Sequence, residues 1–252
     1  MAASINSAPV VRGRDLLGQT VLVIGGSSGI GLETARLARA RGAGIILTAR
    51  NPDRLHRAGL ELGASIAAFD ATDFDRLGRF FDALPAPIDH LLVTGPGPHY
   101  RPLAEFNLHA ARRDVDAYLL LPLQVARDAA SKVRPEGTLL FMGGTGGRRP
   151  AIGLAVIAAL TAALPAMIKS LALEVAPARV NLIAAGCADT PLSASPLGDE
   201  IDKCRAQLRT TLAIGRVVGP ADIAALAVHL MTNTAITGAT FDIDGGQQLV
   251  EG

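Results

Sequence analysis

A chain of 252 residues that is 49% hydrophobic can bury one large core, or at most two small ones. Its formal charge of +1 comes from 24 basic and 23 acidic residues spread along the chain. With no Trp and two Tyr, there is neither a basic stripe nor an aromatic platform for nucleic acid. Cys187 and Cys204 are too few for a disulfide framework and lack metal-ligand spacing, so a reducing cytoplasm and no metal are expected.

Met1 to Gly13 has no apolar run of signal-peptide length, and residues 1–17 read as a loose leader before a domain over 18–252. Val21 to Ile24 is a first apolar strand, suited to burial on both faces. Gly25, Gly29 and Gly31 break it with the spacing GxxxGxG, and a helix follows from Leu32 to Arg41. A strand, a glycine turn and a helix N-terminus make an anion site, because backbone N–H groups point outward and glycines let a pyrophosphate reach the main chain.

Ile45 to Thr48 is a second strand, Asn51-Pro52-Asp53 opens a helix to Leu62, and Ser65 to Phe69 is a third strand. Thr72 or Asp73 can cap the next helix, which runs to about Leu84 and is closed by Pro85 and Pro87. A fourth strand, His90 to Val93, leads into the loop Thr94 to Tyr100, and a long helix spans roughly Ala111 to Ser131. Gly137 marks a turn before a fifth strand, Thr138 to Met142.

Pro150 to Ile168 carries no charge and is long enough to suggest a membrane span. Its prolines, its alanine content and its place inside an α/β pattern favour a helix to about Val175, buried between sheet and partner, and no membrane is expected. Arg179 to Ala184 is a sixth strand, Pro191 to Leu212 a polar lid with short helices, Pro220 to Met231 a helix and Thr240 to Ile243 the last strand. Strands alternating with helices predict an α/β fold: one domain with a doubly wound parallel sheet of Rossmann type.

The second strand ends at Ala49-Arg50, where a site preferring NAD usually places a carboxylate for the ribose 2′-hydroxyl. Arg50 suits a 2′-phosphate instead, so NADP(H) is expected over NAD(H), the plainer alternative being a solvated surface cation. Ser27 and Ser28 add hydroxyl donors. Asp70, at the end of the third strand, either accepts from an adenine amino group or is a plain helix cap.

Taken together, the chain resembles the short-chain dehydrogenase/reductase family from about Gly18 to Leu249. The segments that carry the resemblance are GGSSGIG at 25–31, TARN at 48–51, DATD at 70–73, KSLALEVAP at 169–177, VNLIAAG at 180–186, RVVGPADIA at 216–224 and ITGATFDIDGG at 236–246. The resemblance implies that Gly25, Ser27, Ser28, Gly29, Ile30 and Gly31 surround the pyrophosphate and 2′-phosphate, with Arg50 and Asn51 beside the latter. Asp70 and Ala71 would flank the adenine, Thr94 and Gly95 stand in a departed NNAG motif, and Thr190 would hold the nicotinamide amide. It also implies a homodimer or homotetramer, paired through the uncharged helix and the last strand.

The family protonates its substrate with a Tyr whose pKa is lowered by a Lys four residues later, aided by a Ser and an Asn. Anchored on KSLALEVAP, those positions are Ile157 for Tyr, Thr161 for Lys and Gly144 for Ser; anchored on VDAY, the Asn position is Asp116. None of the four holds the family residue. His99 and Tyr100 in the loop after the fourth strand, Asp116, the Arg148-Arg149 pair and Cys187 are the candidate substitutes, each with a plain structural alternative. Two readings are open: an NADP(H)-dependent oxidoreductase with a non-standard site, or a non-catalytic NADP(H)-binding sensor or partner subunit.

Overall fold

Successive strand residues face opposite sides of a sheet, and in this chain both sides are apolar. In a computed structural model, which describes residues 15–84, 87–148, 151–189 and 201–250 (side chains of 201–205 excepted), Leu22 and Ile24 pack into one core and Val21 and Val23 into another. These residues belong to β1 (Thr20–Ile24), and their neighbours repeat the pattern: Leu91 and Val93 against Leu92, Leu139 and Phe141 against Leu140.

The remaining strands are β2 (Gly44–Ala49), β3 (Ser65–Ala68), β4 (Ile88–Val93), β5 (Val133–Gly144), β6 (Arg179–Ala185) and β7 (Thr240–Ile243). All seven run parallel in the order β3-β2-β1-β4-β5-β6-β7. The strand order reverses between β1 and β4, the switch point beyond whose C-terminal ends ligands bind in such sheets. One core is closed by α3 (Phe74–Asp82), α5 (Leu121–Ala129) and α6 (Ala155–Glu174). The other is closed by α1 (Gly29–Ala40), α2 (Pro52–Leu62) and a helix at Pro220–Thr232, which is α8. Between them in sequence lie α4 (Leu108–Val115) and α7 (Ile201–Thr211).

Several boundaries differ from the sequence expectation. The first helix starts at Gly29, not Leu32, so two of the three turn glycines lie inside it. The long helix starts at Leu108 and is interrupted by a π-helical turn at Asp116–Leu120. Gly137 is not a turn before β5 but lies within it, where the register against β4 shifts between Ile88 and His90. A Cβ there would sit 2.3 Å from the Asp89 carbonyl oxygen, a close backbone approach that only glycine allows. Leu16, inside the stretch read as a leader, is fully buried in the core with α1. Pro85, residues 1–14 and the lid residues 191–200 lie outside the described residues.

Among the described residues α6 is the one helix long and apolar enough to cross a membrane. Ile157, Leu160, Leu164, Ile168 and Leu171 are buried, the last three within the core over the sheet. Ala155, Ala159, Ala162, Ala163 and Ala166 are exposed along its first three turns, and Lys169, Ser170, Leu173 and Glu174 along the rest.

Two buried ionisable groups are structural, one charged and one neutral. Arg179, 6% exposed at the start of β6, donates to the carbonyls of Leu230 (2.8 Å), Met231 (2.9 Å) and Asn233 (2.9 Å). It thereby satisfies the orphan acceptors at the negative end of α8. His90 in β4 is 4% exposed, and its Nε2 faces Gln19 Oε1 at 2.7 Å, so the ring proton sits on Nε2 while Nδ1 has no partner. Burial pushes the imidazole down to about 4 from 6.5, Asp89 opposing and Arg179 reinforcing the shift.

The consequence has a definite sign. An unfolded His binds a proton below about 6.5 and the folded one does not until about 4, so folding is favoured fully above this window and progressively less as pH falls through it. His90 alone should remove about 3 kcal/mol between neutral pH and pH ~4. Urea unfolding of the wild type and His90→Gln at intervals across that range should show a shallower decline for the variant; parallel curves would rule the effect out.

Candidate active site

Beyond β1 the chain must reverse into α1 at close quarters. Gly25 takes φ +88°, and a Cβ on it would lie 2.1 Å from Thr94 Oγ1. Gly31 packs the helix onto the turn, since a Cβ there would lie 2.4 Å from the Gly25 carbonyl oxygen. The N–H groups of Gly25 and Gly26 both donate to the Thr48 carbonyl, at 2.9 and 3.0 Å, which ties the turn to β2. Ser28, the extended N-cap residue, makes no side-chain bond to its own helix, and the first turn holds no acidic residue. The positive end of α1 is therefore uncompensated and faces the switch point.

Thr94, read from sequence only as a departure from a motif, has a visible task. Its hydroxyl donates to the carbonyls of Ile24 (3.1 Å) and Gly25 (3.2 Å), clamping the glycine turn from the end of β4. Around the neighbouring Gly95 a side chain would meet open space.

The ends of β2 and β3 carry the second group of expected residues. Arg50 is 66% exposed and its Nη1 is 3.9 Å from Asp70 Oδ2, a loose pair in solvent. Asn51 Oδ1 accepts the Arg54 N–H at 2.8 Å as the N-cap of α2, so its oxygen is committed locally. Asp70 Oδ1 accepts from the Thr72 N–H (3.0 Å) and hydroxyl (2.8 Å), while Asp73 rather than Thr72 caps α3. Ala71 packs partly buried against the core. Thr190 and Arg149 lie outside the described residues.

A third group lies on the β4 loop and α4. His99 Nδ1 is 2.7 Å from Asp114 Oδ1; the histidine side chain is 39% exposed and the aspartate 4%. Tyr118, in the π-helical turn, donates its hydroxyl to the Pro96 carbonyl at 3.1 Å. Desolvation pushes the Tyr100 phenol up, with Cys187 and Asp114 adding to the shift. It pushes the Tyr118 phenol up further, with Tyr100 and Asp114 contributing. His99, Tyr100, Asp114, Tyr118 and Cys187 thus form one cluster. Arg148, a candidate anion binder, is engaged by Asp242 of β7 and by Gln248 Oε1 at 3.3 Å.

Residues 24–248 match the model of a family described as enoyl-(acyl carrier protein) reductase. A short-chain dehydrogenase/reductase of Stachybotrys chlorohalonatus, ATR9, is 31% identical over 91% of this chain and 96% of its own. Among solved structures, the MalC reductase/Diels-Alderase of Malbranchea aurantiaca is similar with a TM-score of 0.86 at 26% identity, covering 94% of this chain and 100% of its own. BdcA in complex with NADPH is similar with a TM-score of 0.82 at 28% identity, covering 92% and 95%. The chain belongs to the short-chain dehydrogenase/reductase family.

In this family member, Gly144 ends β5 and a Cβ on it would lie 3.7 Å from the Thr161 methyl. Thr161 is buried on α6 and its hydroxyl donates to the Ile157 carbonyl at 2.8 Å, within its own helix. Ile157 is 4% exposed. Pro165, one turn on, has no N–H to give the Thr161 carbonyl. Asp116 begins the π-helical turn and is partly buried.

Sequence reasoning missed Asp114. The signal was present: Ala110, Asp114 and Ala117 fall at helical spacing and are all buried, so a carboxylate sits on the inward face of α4. The motif VDAY drew attention two residues further on.

Thr94→Val keeps the shape and removes the donor. Loss of its hydroxyl bonds should cost about 1 kcal/mol, or a melting-temperature fall of about 2–4 °C for a domain this size. Calorimetry of the two proteins checks this; an unchanged melting temperature would remove the clamp from the account.

Proposed function

We propose that the protein is an NADP(H)-binding oxidoreductase whose active site departs from the family's Tyr-based one. The observation that carries the cofactor half is the tight turn of Gly25 and Gly31, where a Cβ would collide with Thr94 or with the Gly25 carbonyl and shift the head of α1, with the exposed Arg50 guanidinium at the end of β2. These residues fit a dinucleotide phosphate. Gly29, Ile30, Ser27 and Ser28 would hold the pyrophosphate at the head of α1, Arg50 and Asn51 the 2′-phosphate, Asp70 and Ala71 the adenine, and Thr94, Gly95 and Thr190 the nicotinamide side. NADPH held by the similar BdcA supports the choice of nucleotide. When bound, such a cofactor supplies a hydride; the chain must position the acceptor, exclude water and handle the proton.

The departure rests on the positions Gly144, Ile157, Thr161 and Asp116. Gly144 and Ile157 carry no acidic group, and the Thr161 hydroxyl is committed to its own helix. The same observation favours a second reading, a non-catalytic NADP(H)-binding sensor or partner subunit. NADPH consumption with a panel of ketones, quinones and enones separates the two, because a flat zero throughout belongs to the second.

Titration of the purified protein with NADPH and with NADH, followed by cofactor fluorescence, tests the cofactor reading. NADPH should bind more tightly, and Arg50→Ala should weaken it about 10–100-fold, the worth of one charge-assisted contact. NADH affinity should change little. Equal affinities for both nucleotides in the wild type would refute the 2′-phosphate role.

A homodimer or homotetramer in the cytoplasm completes the proposal. The alanine side of α6 has no charge from Ala155 to Ala166, the kind of face a second copy covers. Light scattering should give a dimer or tetramer mass at micromolar concentration, and a monodisperse monomer would end this part of the reading.

A further inference from the structure

Removing a tyrosine acid leaves a question of protons, and the β4 loop together with α4, which packs against α6, holds the groups that answer it. His99 leaves the end of β4, the strand beside β1 at the switch point, and is anchored through Nδ1 on Asp114 at 2.7 Å. Asp114 is buried on α4, where a carboxylate is expensive to desolvate and is retained only with a partner. The pairing fixes the ring's orientation and places a proton on Nδ1. The other edge of a ring that is 39% exposed is thereby left for exchange with a ligand or solvent. A buried carboxylate orienting a half-exposed imidazole is the arrangement by which many enzymes set a histidine for proton transfer.

The neighbouring phenols do not compete for the role. Tyr118 commits its hydroxyl to the Pro96 carbonyl. Tyr100 and Tyr118 are both shifted upward, opposite to the shift a neighbouring lysine gives a family tyrosine. Cys187 shares the cluster with Tyr100, and its N–H donates to Gln247 Oε1 at 2.9 Å.

We propose that His99, held by Asp114, transfers the proton at the substrate oxygen, with Asp114 as its positioning residue. The proposal rests on the NADP(H)-dependent reading above. In the reducing direction the substrate is a carbonyl compound and the reduced nicotinamide is the electron donor. As hydride adds to the carbonyl carbon, the C=O π pair moves to oxygen. The Nε2–H bond of the imidazolium breaks, an O–H bond forms, and the ring is left neutral with its Nδ1–H on Asp114. A solvent proton reaches the exposed edge and restores the imidazolium. The alcohol leaves and the nicotinamide is left oxidised, so charge and atoms balance.

Four measurements on the full chain test this. In the apo protein, proton NMR should show a downfield imidazole N–H resonance that disappears in His99→Ala and shifts in Asp114→Asn. NADPH fluorescence titration should give the same affinity for wild type and both variants. With acetophenone, cyclohexenone and menadione as acceptors, His99→Ala should lower kcat about 10²–10⁴-fold, the worth of general acid catalysis. Added imidazole should restore part of it, and Asp114→Asn should lower kcat with KM in place. Full activity in His99→Ala, or no rescue by imidazole, overturns the proposal. A wild type that binds NADPH yet reduces none of the three overturns it as well, leaving the cofactor reading intact. A wild type that binds no NADPH fails the underlying reading instead. Circular dichroism melting of Asp114→Asn, an isosteric change, separates lost positioning from lost fold.

Discussion

The contact on which the site depends is the approach of α1 to the glycine turn, where only a hydrogen on Gly31 separates the helix from the Gly25 carbonyl. A side chain at Gly25 would displace Thr94, and one at Gly31 would push the helix head away from the turn. Its unpartnered N–H groups would then no longer point at the switch point. Everything else at that end of the sheet is arranged around this proximity. Thr48 takes the two turn N–H groups from one side, and Thr94 donates to the turn carbonyls from the other. The turn is thus clamped by both strands flanking β1, so its geometry is set by the sheet rather than by the loop.

That constraint explains why half of the site was legible in the sequence. A glycine needed for a close approach has no substitute, and a strand-to-helix turn leaves few other places for it, so the residues could be named from spacing alone. The same holds for Arg50, whose place follows from the end of β2. The boundary at α1 was missed for the same reason the motif was found: glycine reads as a helix breaker by propensity, and tertiary packing overrides that cost. Gly137 repeats the lesson inside β5, where a residue read as a turn is instead the point at which two backbones nearly touch.

The other half was not legible because it depends on pairings across the fold. Asp114 and His99 are 15 residues apart, and nothing in the loop sequence says that its histidine turns toward the succeeding helix. Thr94 became a clamp only once β4 was seen beside β1. The π-helical turn at Asp116–Leu120 compounds the difficulty, since the extra residue per turn rotates the downstream side chains relative to an ideal helix. Side chains beyond it therefore cannot be assigned by counting to the face that carries Ala110 and Asp114.

These two halves also differ in what holds them, and the difference bears on chemistry. On α6 stand a buried isoleucine and a threonine bonded to its own helix, and at the end of β5 a glycine faces the threonine methyl. No ionisable group could be placed there without the cost of unpartnered burial. On α4 the balance is reversed: the helix buries a carboxylate, and the β4 loop supplies the imidazole that makes that burial tolerable. Such a pair is not needed for stability, because replacing a buried pair by apolar residues is often neutral or stabilising. A buried carboxylate holding a half-exposed imidazole, beside an apolar stretch of α6, is the arrangement that the proposed proton transfer by His99 requires.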